Sequence, residues 1–333
     1  MERVGLIFLD RPGLADQVRL AQHAESKGFH SVWVCETRLA RDAFVPLAAF
    51  ATATERVKLC TGVVNNWTRT AALMAMSLAT LDELSGGRAV LGIGAYWDPL
   101  AWKQGINRRK MLTAMREYVT VVRRLLNMET VDFEGEVVQA RDLRLDLGEG
   151  VPREPVDVPI YIGATGPKMQ GVAGEVADGV FLNFFTSVGY LKDSLQRIEA
   201  GARKGGRSLA ALELPQMLAV AMDDDASQAR DVARHAVAMY IGQQPHIARA
   251  SGVSEEAIQR IHDTMGGWPP KEGGIEAASA LVEDGLVDLL SVAGTPQHCR
   301  ARVQEYLDAG AGYPVLCPLT ENVEQIIDAF SPR

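Results

Sequence analysis

Leu59-Cys60-Thr61-Gly62-Val63-Val64-Asn65-Asn66-Trp67-Thr68-Arg69 runs from an apolar strand into glycine, then two β-branched residues, then a polar cluster. A strand that opens on glycine and presents Asn65, Asn66 and Thr68 delivers hydrogen-bonding groups into a confined place. The same residues also suit a plain strand end with a helix N-cap at Thr68 or Thr70. Two other strand ends carry the same signature, Val90-Leu91-Gly92-Ile93-Gly94-Ala95-Tyr96 and Pro159-Ile160-Tyr161-Ile162-Gly163-Ala164-Thr165-Gly166-Pro167. Three apolar strands that each open into small residues imply backbones drawn close around one flat ligand.

On either side of these segments, short apolar runs alternate with helical patterns. Strands are expected at 4–9, 31–35, 57–64, 89–94, 158–163, 179–182, 214–222 and 314–317. Leu14, Val18, Ala21 and Ala24 show helical spacing, and Gly28 stands where a helix C-terminus favours glycine. Eight strands, each followed by a helix, are the count for an α/β (β/α)8 TIM barrel, expected as a single domain over 1–333. Two stretches break the rhythm: a hairpin insertion at about 130–147, after the fourth helix, and a long helical insertion at about 223–292, after strand seven. A doubly wound open sheet would want a GxGxxG fingerprint, and Gly92-Ile93-Gly94-Ala95-Tyr96-Trp97 lacks the third glycine. A barrel also brings all strand C-terminal ends to one face, so the three glycine-bearing ends would meet around one site.

The 333 residues are 47% hydrophobic, and a formal net charge of -8 argues against nucleic-acid binding. No apolar run approaches the roughly 18 residues of a membrane span. Met1-Glu2-Arg3-Val4 leads straight into a strand with no signal peptide visible, and Cys35, Cys60, Cys299 and Cys317 are isolated, so a cytoplasmic protein with reduced thiols is expected. The six histidines show no metal spacing and no GxSxG elbow is present, so neither a metal site nor a serine hydrolase is expected.

Further motifs join these: Gly28-Phe29-His30-Ser31-Val32-Trp33-Val34, Arg41-Asp42, Gly87-Arg88-Ala89-Val90, Ala177-Asp178-Gly179-Val180 and Gly294-Thr295-Pro296. In order and spacing, over nearly the whole chain, the set resembles the bacterial-luciferase-like superfamily of flavin- and deazaflavin-dependent oxidoreductases. Within it, the chain is similar to the branch of methylenetetrahydromethanopterin reductase and its actinobacterial relatives. The resemblance implies a barrel that binds coenzyme F-420, an 8-hydroxy-5-deazaflavin, or alternatively FMN, at the strand C-terminal face. It also implies a bulge with a non-prolyl cis peptide at Gly62–Val63. A tricyclic ring needs flat apolar backing and a few polar contacts at its rim. Val63 and Val64 suit the first, and Thr61 and Asn65 the second. Thr37, Gly94 and Ala95 at neighbouring strand ends complete the expected wall. Gly163, Ala164, Thr165 and Gly166 lead into Pro167 at a helix start, where backbone N–H groups can meet the coenzyme phosphate. The same loop also suits a plain βα turn.

The chain departs from the superfamily's sugar-phosphate dehydrogenases, whose second strand ends in an Asp-His pair. Glu36 and Thr37 stand there, and threonine is no imidazole base. Glu36 is a candidate catalytic carboxylate, or a rim residue paired with the nearby Arg38 or Arg41. Trp97 replaces a glutamate of those dehydrogenases and is assigned with Trp67 and Tyr96 to a substrate pocket. Ile7 stands where the pterin reductases carry an acidic residue. Lys103, Arg108, Arg109 and Lys110 form a basic patch, either a solvated helix start or a seat for the coenzyme's polyglutamate tail. The expected activity is hydride transfer between coenzyme F-420 and a small organic substrate, with the 223–292 insertion as a lid. An FMN-dependent two-component monooxygenase and a catalytically silent flavin binder are the alternatives. A homodimer through the helices around 73–84 and 111–126 is expected.

Overall fold

The computed structural model describes residues 1–149 and 154–332. Its strands are β1 (Gly5–Phe8), β2 (Ser31–Val34), β3 (Lys58–Thr61), β4 (Val64–Asn65), β5 (Ala89–Gly94), β6 (Val131–Glu134), β7 (Gln139–Leu143), β8 (Ile160–Gly163), β9 (Gly179–Phe181), β10 (Pro215–Met222), β11 (Val292–Gly294) and β12 (Tyr313–Pro318). Eight of them run parallel in the order β10-β12-β1-β2-β3-β5-β8-β9. Parallel bridges Gly179–Glu213 and Leu182–Gln216 join β9 to the start of β10 and close the barrel. These eight are the expected strands, and the sequence shows them as unbroken apolar runs because both faces of each are buried.

Every barrel strand contributes to the interior cluster: Ile7, Trp33, Cys60, Val90, Tyr161, Phe181 and Met217 from seven of them, with Tyr313, Val315 and Cys317 from β12. Trp33 stacks on Phe181 with ring centroids 4.4 Å apart and planes 7° from parallel. Their neighbours along each strand, such as Leu6, Val32, Leu59, Leu91 and Ile162, point outward and pack under the helices. Arg88, from the Gly-Arg motif, is buried and donates to the carbonyl oxygens of Ala51, Thr54, Val57 and Ser85, tying strand starts to helix ends.

The hairpin of the first insertion is β6–β7, and it hangs on one carboxylate. Glu117 accepts the backbone N–H groups of Glu136 at 2.8 Å and of Val137 and Val138 at 2.9 Å. The second insertion departs in one respect from expectation. Helices Ala226–Gln243, Pro245–Ala250, Glu255–Met265, Gly274–Ser279 and Asp284–Leu290 are followed by a strand, β11, that pairs with Val220–Met222. Val220 also pairs with Pro318 of β12, so β11 lies on the opposite edge of β10, above the point where β9 closes the barrel. Val237, Ile241, Ile258, Met265 and Leu290 of the insertion pack together against Ala219, Ala221 and Phe185 of the barrel.

Candidate active site

The strand β3 stops at Thr61, the Gly62–Val63 peptide is cis, and the chain rejoins the sheet as β4 beside Ile93 and Gly94. The bulge expected at this bond is therefore present. Val63 projects toward the ends of β5 and β8: a Cβ built on Gly94 would stand 2.8 Å from Val63 Cγ2, and one on Gly163 2.9 Å from Val63 Cγ1. The three glycine-bearing ends converge as expected. The missing side chains of Gly94 and Gly163 make room for the Val63 side chain, which is the apolar group at their meeting point. Val64 is buried below it.

Two of the expected rim residues also make hydrogen bonds within the fold. Thr61 is buried, and its hydroxyl donates to Gly92 O and accepts from Gly92 N–H, both at 2.8 Å. It clamps the bulge to β5, with its one proton committed to Gly92 O. Asn65 Oδ1 accepts from the N–H groups of Trp67 and Thr68, each at 2.9 Å, so its carbonyl shapes the loop. The buried Oδ1 of Asn66 and the buried Nε1 of Trp67 have no hydrogen-bond partner among the described residues.

On the next strand, β8, Gly163 and the buried Ala164 lead to Thr165, whose carbonyl accepts from the Tyr190 hydroxyl at 2.6 Å. Gly166 is the N-cap of helix Pro167–Val176, with no side chain capping the first-turn N–H groups. A Cβ on Gly166 would meet nothing within 4 Å. An open cradle of uncapped N–H groups fits the phosphate of a deazaflavin or flavin coenzyme.

Glu36 follows β2 at the same mouth, and its backbone N–H donates to Val63 O at 3.4 Å. Its partner differs from the expected Arg38 or Arg41, because Arg38 pairs with Asp10 and Arg41 donates to Asp10 O. Both oxygens of Glu36 instead accept from Arg69, Oε2 from Nη1 at 2.8 Å and Oε1 from Nη2 at 2.7 Å. Arg69 also contacts Asp42 and lies over the Phe44 ring at 5.2 Å. Burial works against the guanidinium charge, but Glu36 and Asp42 outweigh it and hold the Arg69 pKa above its ordinary value. Thr37 is half-buried beside Glu36, with its carbonyl taken by Ala40 N–H at 2.9 Å.

The aromatic residues divide. Trp67 is half-buried at the end of the bulge segment. Tyr96 has a φ of 67°, and Arg108 holds this turn by donating to Ala95 O at 2.7 Å. The Tyr96 hydroxyl is hydrogen-bonded to Gln104, and Trp97 is the N-cap of the short helix Asp98–Lys103. Trp102 on that helix is 80% exposed and lines a cavity of about 520 Å³ with Ile106 and Arg108. The basic patch is half neutralised: Arg108 pairs with Asp98 and Lys110 with Glu136, while Lys103 and Arg109 have no ion pair among the described residues.

Residues 3–312 match the family described as luciferase-like monooxygenase. The chain belongs to this family. It is 33% identical over 328 residues to a 5,10-methylenetetrahydromethanopterin reductase of Methanolobus tindarius, covering 97% of this chain and 96% of the relative. The corresponding reductase of Archaeoglobus fulgidus is 34% identical over 326 residues, covering 93% of each chain. In structure, the coenzyme F-420-dependent tetrahydromethanopterin reductase of Methanopyrus kandleri superposes with a TM-score of 0.88 at 26% identity, over 99% of this chain and 97% of that one. The branch implied by the motifs is therefore the branch that the relatives occupy.

Within this luciferase-like barrel, Arg69, Asp42 and Tyr118 are site neighbours to which the sequence patterns assigned no site role. The Tyr118 hydroxyl is shared between Arg69 O at 2.9 Å and Thr70 O at 3.2 Å, which fixes the segment that carries the guanidinium. Arg69 closed the polar cluster after the bulge, and an unassigned cation beside a strand-end carboxylate was the available signal.

Proposed function

We infer that this protein is a coenzyme F-420-dependent oxidoreductase that moves a hydride between the coenzyme and a small organic substrate. The observation that carries this is the seat of Val63 between Gly94 and Gly163, at the strand end that runs on into the uncapped Gly166 loop. It occurs on a chain that shares its full length with the F-420-dependent Methanopyrus reductase. When bound, the coenzyme supplies the hydride-carrying ring carbon. Val63 backs the ring, and the N–H groups of 163–166 hold its phosphate. Glu36, held by the two bonds from Arg69, retains lone pairs that the fork does not use and accepts a hydrogen bond or proton from the substrate. Trp67, Tyr96 and Trp97 shape the substrate side, and the insertion limits water.

Ile7 is buried in the barrel interior, where the pterin reductases were expected to carry a carboxylic acid. This favours a substrate other than a methylene-pterin. The test is fluorescence titration with F-420 and FMN side by side. F-420 is expected to bind at least about tenfold more tightly, or roughly 1.4 kcal/mol, and equal or reversed affinities would sink the assignment.

The protein is further proposed to form a homodimer. Val45, Leu73, Met76 and Leu84 are exposed on the adjacent helices Phe44–Ala53 and Ala71–Ser85. Phe44–Ala53 carries no charged residue, and the charges of Ala71–Ser85 are confined to Asp82 and Glu83. The proposed face is therefore centred on these two helices, since the apolar side of Met111–Leu126 is buried within the fold.

A further inference from the structure

The Glu36–Arg69 pair joins two segments that no backbone ladder connects at that height. Glu36 lies just beyond β2, and Arg69 lies beyond β4, past the cis bulge. Between them, the Glu36 N–H donates to Val63 O at 3.4 Å, a long bond that needs help to persist. The bidentate fork supplies that help, with two charge-assisted bonds of 2.8 and 2.7 Å in fixed mutual geometry. The arginine is itself held from four directions. Asn65 Oδ1 folds the chain ahead of it, the Tyr118 hydroxyl takes its carbonyl, Phe44 lies beneath its guanidinium and Asp42 flanks it. The Asp42 carboxylate also accepts from Val45 N–H at 2.8 Å, which ties the same cluster to the start of helix Phe44–Ala53. Side-chain exposures of 15% for Arg69 and 17% for Glu36 place the pair where solvent screens it only in part.

We propose that Arg69 is a positioning residue of the coenzyme site, clamping Glu36 over the Gly62–Val63 bulge so that Val63 keeps its place between Gly94 and Gly163. The proposal rests on the coenzyme assignment above for its function and on the clamp geometry for its structure. Arg69 touches no reacting atom in this scheme. It acts through Glu36 and the bulge, and only a planar fork can hold both carboxylate oxygens at once.

The test compares Arg69→Gln and Arg69→Lys with the parent, first without coenzyme. Backbone hydrogen exchange is followed in peptides covering 33–38 and 60–70, with thermal denaturation alongside. Arg69→Gln is expected to speed exchange in both peptides by about tenfold or more, with other regions unchanged, and Arg69→Lys to recover part of that protection. Fluorescence titration with F-420 then reads the functional consequence, a loss of affinity of about tenfold in Arg69→Gln and a smaller loss in Arg69→Lys. Parent-like exchange in both peptides overturns the clamp. Faster exchange with parent-like F-420 affinity overturns the positioning role. A parent protein that fails to bind F-420 overturns the coenzyme assignment, and the exchange result then still decides the clamp.

Discussion

Val63 occupies the space that Gly94 leaves by having no side chain: a Cβ there would stand 2.8 Å from Val63 Cγ2, well inside carbon–carbon contact. The same holds at Gly163, at 2.9 Å from Cγ1. Valine is β-branched and stiff, so it cannot swing clear of both. Gly94→Ala or Gly163→Ala is therefore expected to tilt Val63 and cost about 1–3 kcal/mol of stability through overpacking. Coenzyme affinity should fall about tenfold or more. Gly171→Ala in helix Pro167–Val176 is the control, because a Cβ there meets nothing within 4 Å. Parent-like F-420 titrations for both strand-end variants would show that Val63 does not back the ring.

Gly166 presents the opposite situation, with open space around its Cα and an uncapped helix start. Gly166→Asp should fold, since nothing is displaced, while setting a carboxylate where the coenzyme phosphate is proposed to lie. Binding is expected to weaken by well over the roughly 1.4 kcal/mol that makes a factor of ten. A folded variant that binds F-420 as the parent does would place the phosphate elsewhere.

The barrel was legible because each of its strands is buried on both faces and so appears as a short apolar run between helical patterns. The bulge was legible through Gly62 and the family resemblance, and the structure bears out the cis bond there. What escaped was set by contacts distant in sequence. Strand β11 is three residues long and has no periodicity to show. The Glu36–Arg69 pair spans 33 positions, whereas Arg38 and Arg41 lay nearer in sequence and were assigned in its place. The bonds between the Thr61 hydroxyl and Gly92 likewise span 31 positions and leave no local mark in the sequence.

Glu117 offers a pH-dependent test of the hairpin. Burial works to raise its carboxyl, but the N–H groups of Val138, Val137 and Glu136, with Lys110 nearby, outweigh it and hold the pKa below the ordinary range. A depressed folded-state pKa contributes stability above the unfolded value, and that contribution is lost as pH falls through the folded one. The parent should therefore lose melting temperature on acidification below about pH 4.5 more steeply than Glu117→Gln does. At neutral pH the substitution should cost about 1 kcal/mol, given the partial exposure of the group. Parallel pH profiles for parent and variant would remove Glu117 as the hairpin's anchor.

The exposed apolar face gives a direct test of assembly. Met76 is 54% exposed and Val45 63%, on the same two helices as the exposed Leu73 and Leu84. Met76→Glu puts a charge on a surface that, when paired with its own copy, would bury two like charges without partners. Sedimentation or light scattering should show a dimer for the parent and a shift toward monomer for the variant, with about a hundredfold or greater loss of association. A parent that is monomeric at micromolar concentration ends the homodimer proposal.

Glu36 is the sharpest test of chemistry. Arg69 takes one lone pair on each of its oxygens, which leaves further acceptor capacity at the mouth beside Val63. Glu36→Gln preserves the shape but only one of the two bonds from Arg69, so it should loosen the clamp in part, as Arg69→Lys does, with a loss of F-420 affinity of no more than about threefold. If Glu36 accepts a proton from the substrate or orients its hydroxyl, the uncharged amide cannot replace it, and turnover should fall on the order of 100-fold. If the pair is only a rim salt bridge, the substitution costs at most about 1 kcal/mol of stability and turnover stays near the parent value. Affinity and turnover thus separate the two roles in one variant. Near-normal turnover would leave Glu36 as the far end of the Arg69 clamp and nothing more.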